Sequence, residues 1–510
     1  MNSANDHSSS NKQMSLQFTI SRKGLFLGML CSSGLLAICF VSAWFGPRAF
    51  KLALYAVVAL LALTAALWIL KFAFDWLSRQ DLFSPLIAYP LMYVGWFVIG
   101  SIDFIHLPSS ISFGAFDPIP ARVWLYASIG LVGYLCGTKS SMSPSKIWKL
   151  NRVSDFRFTW ELRVFRFVVV VMLLAAASTY LYVAFQTGII ALRPDAGSSV
   201  YELEKYHRAM TPFFFTAYSG FLFLTVSVFI NPARGGTKSK LGPIFVIAII
   251  LLSLIGLGGR SFFFAPVLTA VILYHYVGKP FHLKTVIAIV LVLFVFLSVY
   301  AYVRSLTVGG DFTAQLTEAG MPPPVQPLLY NYLYFRYTAA TFRDVTEVIP
   351  RQVPFQHGTI TFMPFLSLLP GHHRMSDYFF KDLLGNEFLG AGQPATVLGP
   401  FYADFGTAGI FGGMFAWGLL ATKLYRWMLT DRTAFSALIY AWTMQAGLFG
   451  LYGGMFVYIS TLLIPLSWVL LNILLAQRSN GLDVLGHSSA EAGFIRGGTA
   501  VITGDDADNM

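Results

Sequence analysis

The residues best suited to chemistry are cationic side chains beside long apolar stretches. A Gly-Gly pair permits a tight turn before Arg260, whose permanent charge and planar donors suit phosphate. The alternative for Arg260 is a side chain that reaches lipid headgroups. His372 and His373 follow a Pro-Gly break and are the side chains best placed to exchange protons near neutral pH, although loop histidines are often inert.

Further arginines are candidates for holding an anionic substrate. Residues 326–348 predict an amphipathic helix on which Arg336 and Arg343, two turns apart, share one face. The alternative is an ion pair between Arg343 and Glu347 at the i+4 position. Arg374 stands directly after the two histidines. Arg336 and Arg343 could together clamp a second negative group.

Composition indicates that the chain is a membrane protein. Of its 510 residues, 56% are hydrophobic and only 12% are charged, whereas soluble proteins carry about 25% charged residues. Apolar runs recur from end to end, and about 20 such residues suffice for a helix to cross a bilayer. Basic residues lie between these runs, so they do not predict nucleic-acid binding. The three cysteines lie in apolar runs and predict neither a metal site nor a disulfide.

The hydropathy pattern predicts an all-α polytopic membrane protein with about 12 transmembrane helices. Lysine and arginine concentrate in alternate connections, which places those connections and both termini in the cytoplasm. A large, partly helical loop, 305–406, then lies on the outer side between helices 9 and 10. The predicted spans are about 24–46, 51–73, 82–101, 121–138, 167–186, 213–230, 242–257, 261–277, 285–303, 407–424, 434–451 and 457–476.

The pattern divides the chain into a membrane domain and two polar tails. Residues 1–20 are rich in Ser and Asn and predict a disordered cytoplasmic tail. Residues 21–476 form the transmembrane domain, and 477–510 form a second cytoplasmic tail. The sequence contains no Walker P-loop, no HExxH and no Cys/His metal set. We therefore expect a mechanism without a metal ion or another cofactor.

Four stretches resemble a known family. They are the Gly-Gly-Arg turn at 258–260, Gly-Thr at 358–359, Leu-Leu-Pro at 368–370, and 393–406, which ends Phe-Tyr-Ala-Asp-Phe-Gly. In this order, with a large outer loop toward the C-terminal third, they resemble the oligosaccharide repeat-unit polymerases, the Wzy-type O-antigen and exopolysaccharide polymerases. The likeness extends in layout over about 160–470 and is sharpest at 256–266 and 358–410.

The resemblance implies a reaction at the outer face of a bacterial inner membrane. A growing glycan on undecaprenyl pyrophosphate would move onto a repeat unit carried by the same lipid. Arg260 would stabilise the leaving pyrophosphate, helped by the other arginines, and His372 or His373 would accept the proton of the acceptor hydroxyl. Tyr402 would offer its ring to a sugar. The implied partners are these lipid-linked oligosaccharides, membrane lipids and a chain-length regulator.

Two other functions remain open at the level of sequence. An O-antigen ligase of the same superfamily would move the glycan to lipid A core, and its sequence would look much the same. A polysaccharide transporter or flippase would be expected to carry charges within its spans and an internal repeat. Neither feature is clear in this sequence, because its charges lie mainly in the connections between the predicted spans.

Overall fold

The structure, a computed structural model, describes helical segments from residue 81 onward, all within one compact unit, Gln80–Met510. The first two predicted spans and both tails lie outside the described ranges. Within those ranges the chain is mostly helical and contains no strand. The described ranges are 81–101, 119–141, 162–187, 216–226, 238–256, 260–278, 280–307, 317, 321–366, 376–384, 394–453 and 464–473.

The helices follow the predicted order. Every predicted span from the third to the twelfth overlaps a helix, and the helix predicted at 326–348 has the bounds of α8. In chain order the helices are α1 (Ala88–Ser101), α2 (Ala121–Ser141), α3 (Leu162–Thr187), α4 (Thr216–Val226), α5 (Lys238–Gly256), α6 (Arg260–Val277), α7 (Leu283–Thr307), α8 (Gln326–Val348), α9 (Met363–Leu366), α10 (Ser376–Leu384), α11 (Leu398–Asp431), α12 (Ala434–Gly453) and α13 (Ile464–Ile473).

Three helices in the described ranges are long and apolar enough to cross a membrane: α11, α12 and the part of α7 at Leu283–Tyr300. Only 6% of that part of α7 is buried, at a mean hydropathy of 2.5, so it presents an apolar outer surface that suits lipid. In α12, by contrast, 89% is buried, because it packs against α1, α6, α8 and α11. The total of about 12 spans and the outer position of the long loop stay predictions.

Helices α2 and α11 run parallel in the most extensive helix contact of the described structure. Glycines allow it: a methyl group at Gly133 would lie 2.6 Å from the carbonyl oxygen of Phe411, and one at Gly137 would overlap that of Phe415. A methyl group at Gly418, on the facing helix, would likewise overlap the carbonyl oxygen of Tyr134. Glycines four apart are the usual means of close backbone approach in membranes.

We expect Gly137→Ala to lower stability, because the new methyl group would meet backbone atoms that cannot rotate away. Overpacking of this kind costs about 1–3 kcal/mol. The matched control is Gly412→Ala in the facing helix, where nothing lies within 4 Å of the added atom. That change should be neutral or stabilising, since alanine favours a helix over glycine by about 1 kcal/mol. Thermal unfolding in detergent measures both; equal midpoints would contradict the close-contact interpretation.

Helix α11 is interrupted near its beginning. Phe405 (φ −138°, ψ 15°) and Gly406 (φ 62°, ψ −143°) leave the helical conformation. A methyl group at Gly413 would lie 2.6 Å from the ring of Phe401, although in a straight helix these residues would be about 18 Å apart along the axis. The segment before the kink therefore folds back along the segment after it. Gly406 supplies the left-handed conformation that this reversal requires.

A buried polar cluster surrounds Asp81 at the far end of α11. The carboxylate of Asp81 accepts hydrogen bonds from the hydroxyl groups of Tyr276 in α6 (2.9 Å) and Tyr425 in α11 (2.6 Å). It also accepts the backbone N–H of Phe83 (3.1 Å). Only 6% of the Asp81 side chain is exposed. A carboxylate this deeply buried is stable because several donors replace its water.

His275 and Tyr440 complete this arrangement. Nδ1 of His275 accepts the backbone N–H of Phe281 (3.0 Å), so the neutral ring carries its proton on Nε2, which lies 3.3 Å from the carboxylate. Tyr440 in α12 donates to the carbonyl of Phe83 (2.5 Å). Three helices thus converge on the chain just before α1. The Asp81 cluster comprises Asp81, His275, Tyr276, Tyr425 and Tyr440.

Candidate functional site

Four of the predicted site residues have side chains outside the described part of the structure. They are Arg260, His372, His373 and Arg374. The backbone places Arg260 as the first residue of α6. The first N–H groups of a helix have no partner within it, and the helix dipole favours an anion there. The roles that the resemblance gives Arg260 and the two histidines in one reaction require them to lie close together, and this proximity stays a prediction.

Arg336 is buried, with 1% of its surface exposed. Its guanidinium donates to the carbonyl oxygens of Gly100 and Ser101, each at 3.2 Å, at the end of α1. A cation there complements the negative end of the helix dipole and satisfies carbonyls that lack helical partners. In this conformation Arg336 therefore joins α8 to α1. To bind substrate, as the sequence predicts for Arg336, the guanidinium would have to contact the substrate in addition to, or in place of, these two carbonyl oxygens.

Arg343 pairs with its neighbour: its Nε donates to Oδ1 of Asp344 at 2.8 Å. The alternative role considered from the sequence was an ion pair between Arg343 and Glu347. The structure instead pairs the carboxylate of Glu347 with Arg122, at the start of α2. This ion pair is partly exposed, so it contributes little to stability by itself. It links the first turn of α2 to the last turn of α8, the helix that carries Arg336 and Arg343.

Tyr402 is a buried residue, 5% exposed. Its hydroxyl donates to the carbonyl of Ile349 (3.3 Å), and its ring lies among those of Tyr126, Phe342 and Phe355 at centroid distances of 5.2–6.2 Å. Aromatic packing of this kind stabilises the contact between α2, α8 and α11. Its predicted role as a sugar platform requires that this packing open.

Asp404, two residues further on, is fully buried. Its carboxylate accepts the backbone N–H groups of Ile360 (3.0 Å) and Thr361 (2.6 Å). The backbone adds two more bonds, from N–H of Gln356 to the carbonyl of Ala403 (2.9 Å) and from N–H of His357 to that of Asp404 itself (3.2 Å). Four hydrogen bonds therefore fix the loop 355–361 to the first segment of α11. We refer to residues 355–361 and 394–406 as the Asp404 junction.

Unusual backbone conformations concentrate in the Asp404 junction. Of the five described residues with positive φ, four lie there: His357 (51°), Gly358 (99°), Thr396 (60°) and Gly406 (62°). Positive φ is costly for a residue with a side chain, above all for a β-branched threonine. Such conformations persist only where surrounding bonds enforce them, and they cluster at functional sites.

Sequence reasoning missed three parts of this region. Asp404 carried no predicted role, and His357 and the Arg122–Glu347 pair were not singled out. His357 had a local signal, because a polar residue directly before glycine often marks a turn with left-handed backbone. The partners of Asp404 are more than forty residues away, and no spacing rule could have predicted them.

No group of three or more His, Cys, Asp or Glu side chains within the described ranges is placed to hold a metal ion. Comparison with protein-family models, with curated proteins and with solved structures gives no match for this chain. The assignment of a function therefore depends on the sequence motifs and on the geometry of the Asp404 junction.

Proposed function

We propose that the protein is a membrane glycan polymerase. It transfers a growing oligosaccharide from undecaprenyl pyrophosphate onto a lipid-linked repeat unit at the periplasmic face of a bacterial inner membrane. In this proposal about 12 helices cross the membrane, both termini are cytoplasmic, and 305–406 is periplasmic. The substrates are the two lipid-linked oligosaccharides, and a chain-length regulator is a further partner.

The observation that carries this proposal is the Asp404 junction. Two of the stretches that resemble the polymerase family, 358–359 and 393–406, are separated by 33 residues in sequence. The carboxylate of Asp404 holds Ile360 and Thr361, which directly follow the first stretch, against the beginning of α11. Stretches that serve one site are expected to meet in space, and the residues on either side of 358–359 make four hydrogen bonds to Ala403 and Asp404 of the second stretch.

The reaction needs charge stabilisation and proton transfer but no oxidant or metal. The acceptor hydroxyl attacks the anomeric carbon of the donor, a new C–O bond forms, and the bond to the pyrophosphate oxygen breaks. Arg260, at the amino end of α6, would stabilise the charge that develops on this oxygen. Arg374 would bind the second lipid pyrophosphate, and a histidine of the loop would take the proton. Arg343 is buried and paired with Asp344, so it could join Arg374 only after a local opening.

A deletion in the source strain tests this function. Without a polymerase, single repeat units still reach the final carrier, so we expect one-unit glycans and no polymer. A missing ligase would instead leave polymer on the lipid carrier, and a missing flippase would leave repeat units at the inner face. Gel analysis of the glycans, with mass determination of the lipid-linked pool, separates these outcomes. Either of the latter two would contradict the proposal.

The purified protein gives an independent test of the metal-free mechanism. Lipid-linked repeat units extracted from the deletion strain serve as substrate. We expect polymer to form at an unchanged rate in the presence of EDTA, because arginine rather than a metal ion would neutralise the leaving group. A rate that EDTA abolishes and a divalent cation restores would contradict this mechanism.

A further inference from the structure

We propose that His357 is the residue that accepts the proton from the acceptor hydroxyl, and that Asp404 is the positioning residue that holds it in place. This inference rests on the proposed function and assigns one of its chemical steps. It departs from the sequence prediction, which favoured His372 or His373.

The backbone of His357 is held from both sides. Its own N–H and that of Gln356 bond to the first segment of α11. Three and four residues later, the N–H groups of Ile360 and Thr361 bond to the carboxylate of Asp404. A catalytic group must be kept within about 0.5 Å of its productive position. These bonds supply that rigidity to a loop that contains almost no helix or strand.

The backbone of His357 is left-handed, a conformation that is uncommon for residues with a side chain but that histidine, like asparagine and aspartate, adopts more readily than most. Its φ of 51° and the 99° of Gly358 lie in the left-handed region. Such strain costs about 1–3 kcal/mol for a residue with a side chain. An asparagine or a glycine would form the same turn at lower cost. The hydrogen bonds on either side of His357 keep it in this conformation and so fix the direction in which its side chain leaves the backbone.

Exposure distinguishes His357 from the other titratable side chains described in the Asp404 junction. Asp404 is fully buried and Tyr402 is 5% exposed, so neither can reach a substrate in this conformation. The side chain of His357 is exposed. Imidazole is also the side chain that most often serves as a general base near neutral pH. In this arrangement the buried Asp404 holds the loop in place, and the exposed His357 is accessible to a substrate.

The step is balanced. The oxygen of the acceptor hydroxyl forms the new bond to the anomeric carbon, and its proton moves to an imidazole nitrogen of His357. The electron pair of the broken C–O bond leaves with the pyrophosphate. The imidazolium then releases the proton to water, which regenerates the neutral base. Asp404 takes no part in bond making; it fixes the peptide groups on either side of the base.

The experiment compares His357→Asn with His357→Gly in the full-length protein. Both substituents tolerate the left-handed backbone and lack the imidazole. Turnover is measured with lipid-linked repeat units from the deletion strain. We expect kcat to fall about 100-fold in both variants, because general bases contribute about 10²–10⁴, with unfolding midpoints at or above that of the wild type. Added imidazole should partly restore the glycine variant. The control His282→Asn, at another exposed histidine before α7, should keep full activity.

Asp404→Asn tests the positioning role. The amide retains the shape of the carboxylate but can accept only one of its two backbone N–H groups, so we expect kcat to fall while KM changes little. The double variant with His357→Asn should be no slower than His357→Asn alone, because the support has value only through the base. Multiplying losses would overturn the positioning role.

Two results would overturn the assignment of the base. One is normal turnover in His357→Asn while His372→Asn or His373→Asn is inactive. The other is a loss in His357→Asn that the unfolding midpoint fully accounts for. If the wild-type protein forms no polymer from these substrates, the proposed function fails, and the assignment of His357 fails with it. Activity in the wild type and in His357→Asn leaves the proposed function standing and refutes this inference alone.

Discussion

Cells that produce Arg260→Ala in place of the wild-type protein are expected to make no polymer, although the protein is inserted in the membrane. The guanidinium would act on charge that appears only as the pyrophosphate leaves. Removing one such donor lowers kcat by about 100–1,000-fold. Because Arg260 begins α6, it lies beside N–H groups that have no partner within that helix, and the helix dipole would retain some attraction for the substrate. We therefore expect kcat to fall more than KM rises.

Arg260→Lys makes this prediction more specific. Lysine keeps the charge but loses the planar pair of donors that binds phosphate oxygens in two places. We expect it to fail almost as completely as alanine. The matched control is Arg432→Lys. Arg432 is an exposed arginine directly after the carboxyl end of α11, and this variant should support normal polymer. Polymer of normal length and yield in Arg260→Ala cells would show that the pyrophosphate role is wrong.

Asp81→Ala is expected to destabilise the protein by about 3 kcal/mol or more. The change would remove the acceptor of the Tyr276 and Tyr425 hydroxyls and of the Phe83 N–H. Each buried donor left without a partner costs about 1–3 kcal/mol. The unfolding midpoint in detergent, followed by tryptophan fluorescence, should fall by about 3 °C or more.

Asp81→Asn separates shape from charge at this position. The amide oxygen can still accept one hydroxyl, and a tyrosine can rotate its own O–H to accept from the amide, so the loss should be about half that of alanine. Asp431→Ala is the control, because Asp431 is an exposed aspartate that pairs with the neighbouring Thr433; it should change stability by less than about 0.5 kcal/mol. Midpoints of both Asp81 variants within 1 °C of the wild type would contradict the stabilising role of the Asp81 cluster.

Local patterns in the sequence predicted what depends on local physics. The bounds of α8 followed from its apolar spacing, because a helix that buries one face must repeat that face every three to four residues. Helix positions from the third span onward followed from apolar length. The kink in α11 lies at Phe405 and Gly406, where the sequence ended the loop and began the tenth span at 407. The apolar pattern did not predict that the residues before this boundary form a helical segment whose Phe401 contacts Gly413.

The candidate site shows the same limit more sharply. Arg336 and Arg343 do lie on one helix, but the partners that decide their environments come from elsewhere: the end of α1 for Arg336, and Arg122 for the neighbouring Glu347. Spacing along a helix predicts a shared face and does not predict what packs on it. Asp404 shows a second limit of local patterns. A single aspartate in an apolar stretch does not indicate that its carboxylate accepts hydrogen bonds from the distant N–H groups of Ile360 and Thr361.

The Asp81 cluster also bears on how the chain is assembled during synthesis. Asp81 precedes its partners Tyr276 and Tyr425 by 195 and 344 positions, and Tyr440 follows Phe83 by 357. During synthesis, Asp81 is therefore made long before the Tyr276 and Tyr425 hydroxyl groups that hydrogen-bond to its buried carboxylate. The contacts of Asp81 and Phe83 with α6, α11 and α12 can form only after each of those helices has been made. In a chain that terminates before Tyr425, the Asp81 carboxylate would lack this hydrogen bond and be more exposed. Quality-control proteases could recognise such an exposed carboxylate in an incomplete chain.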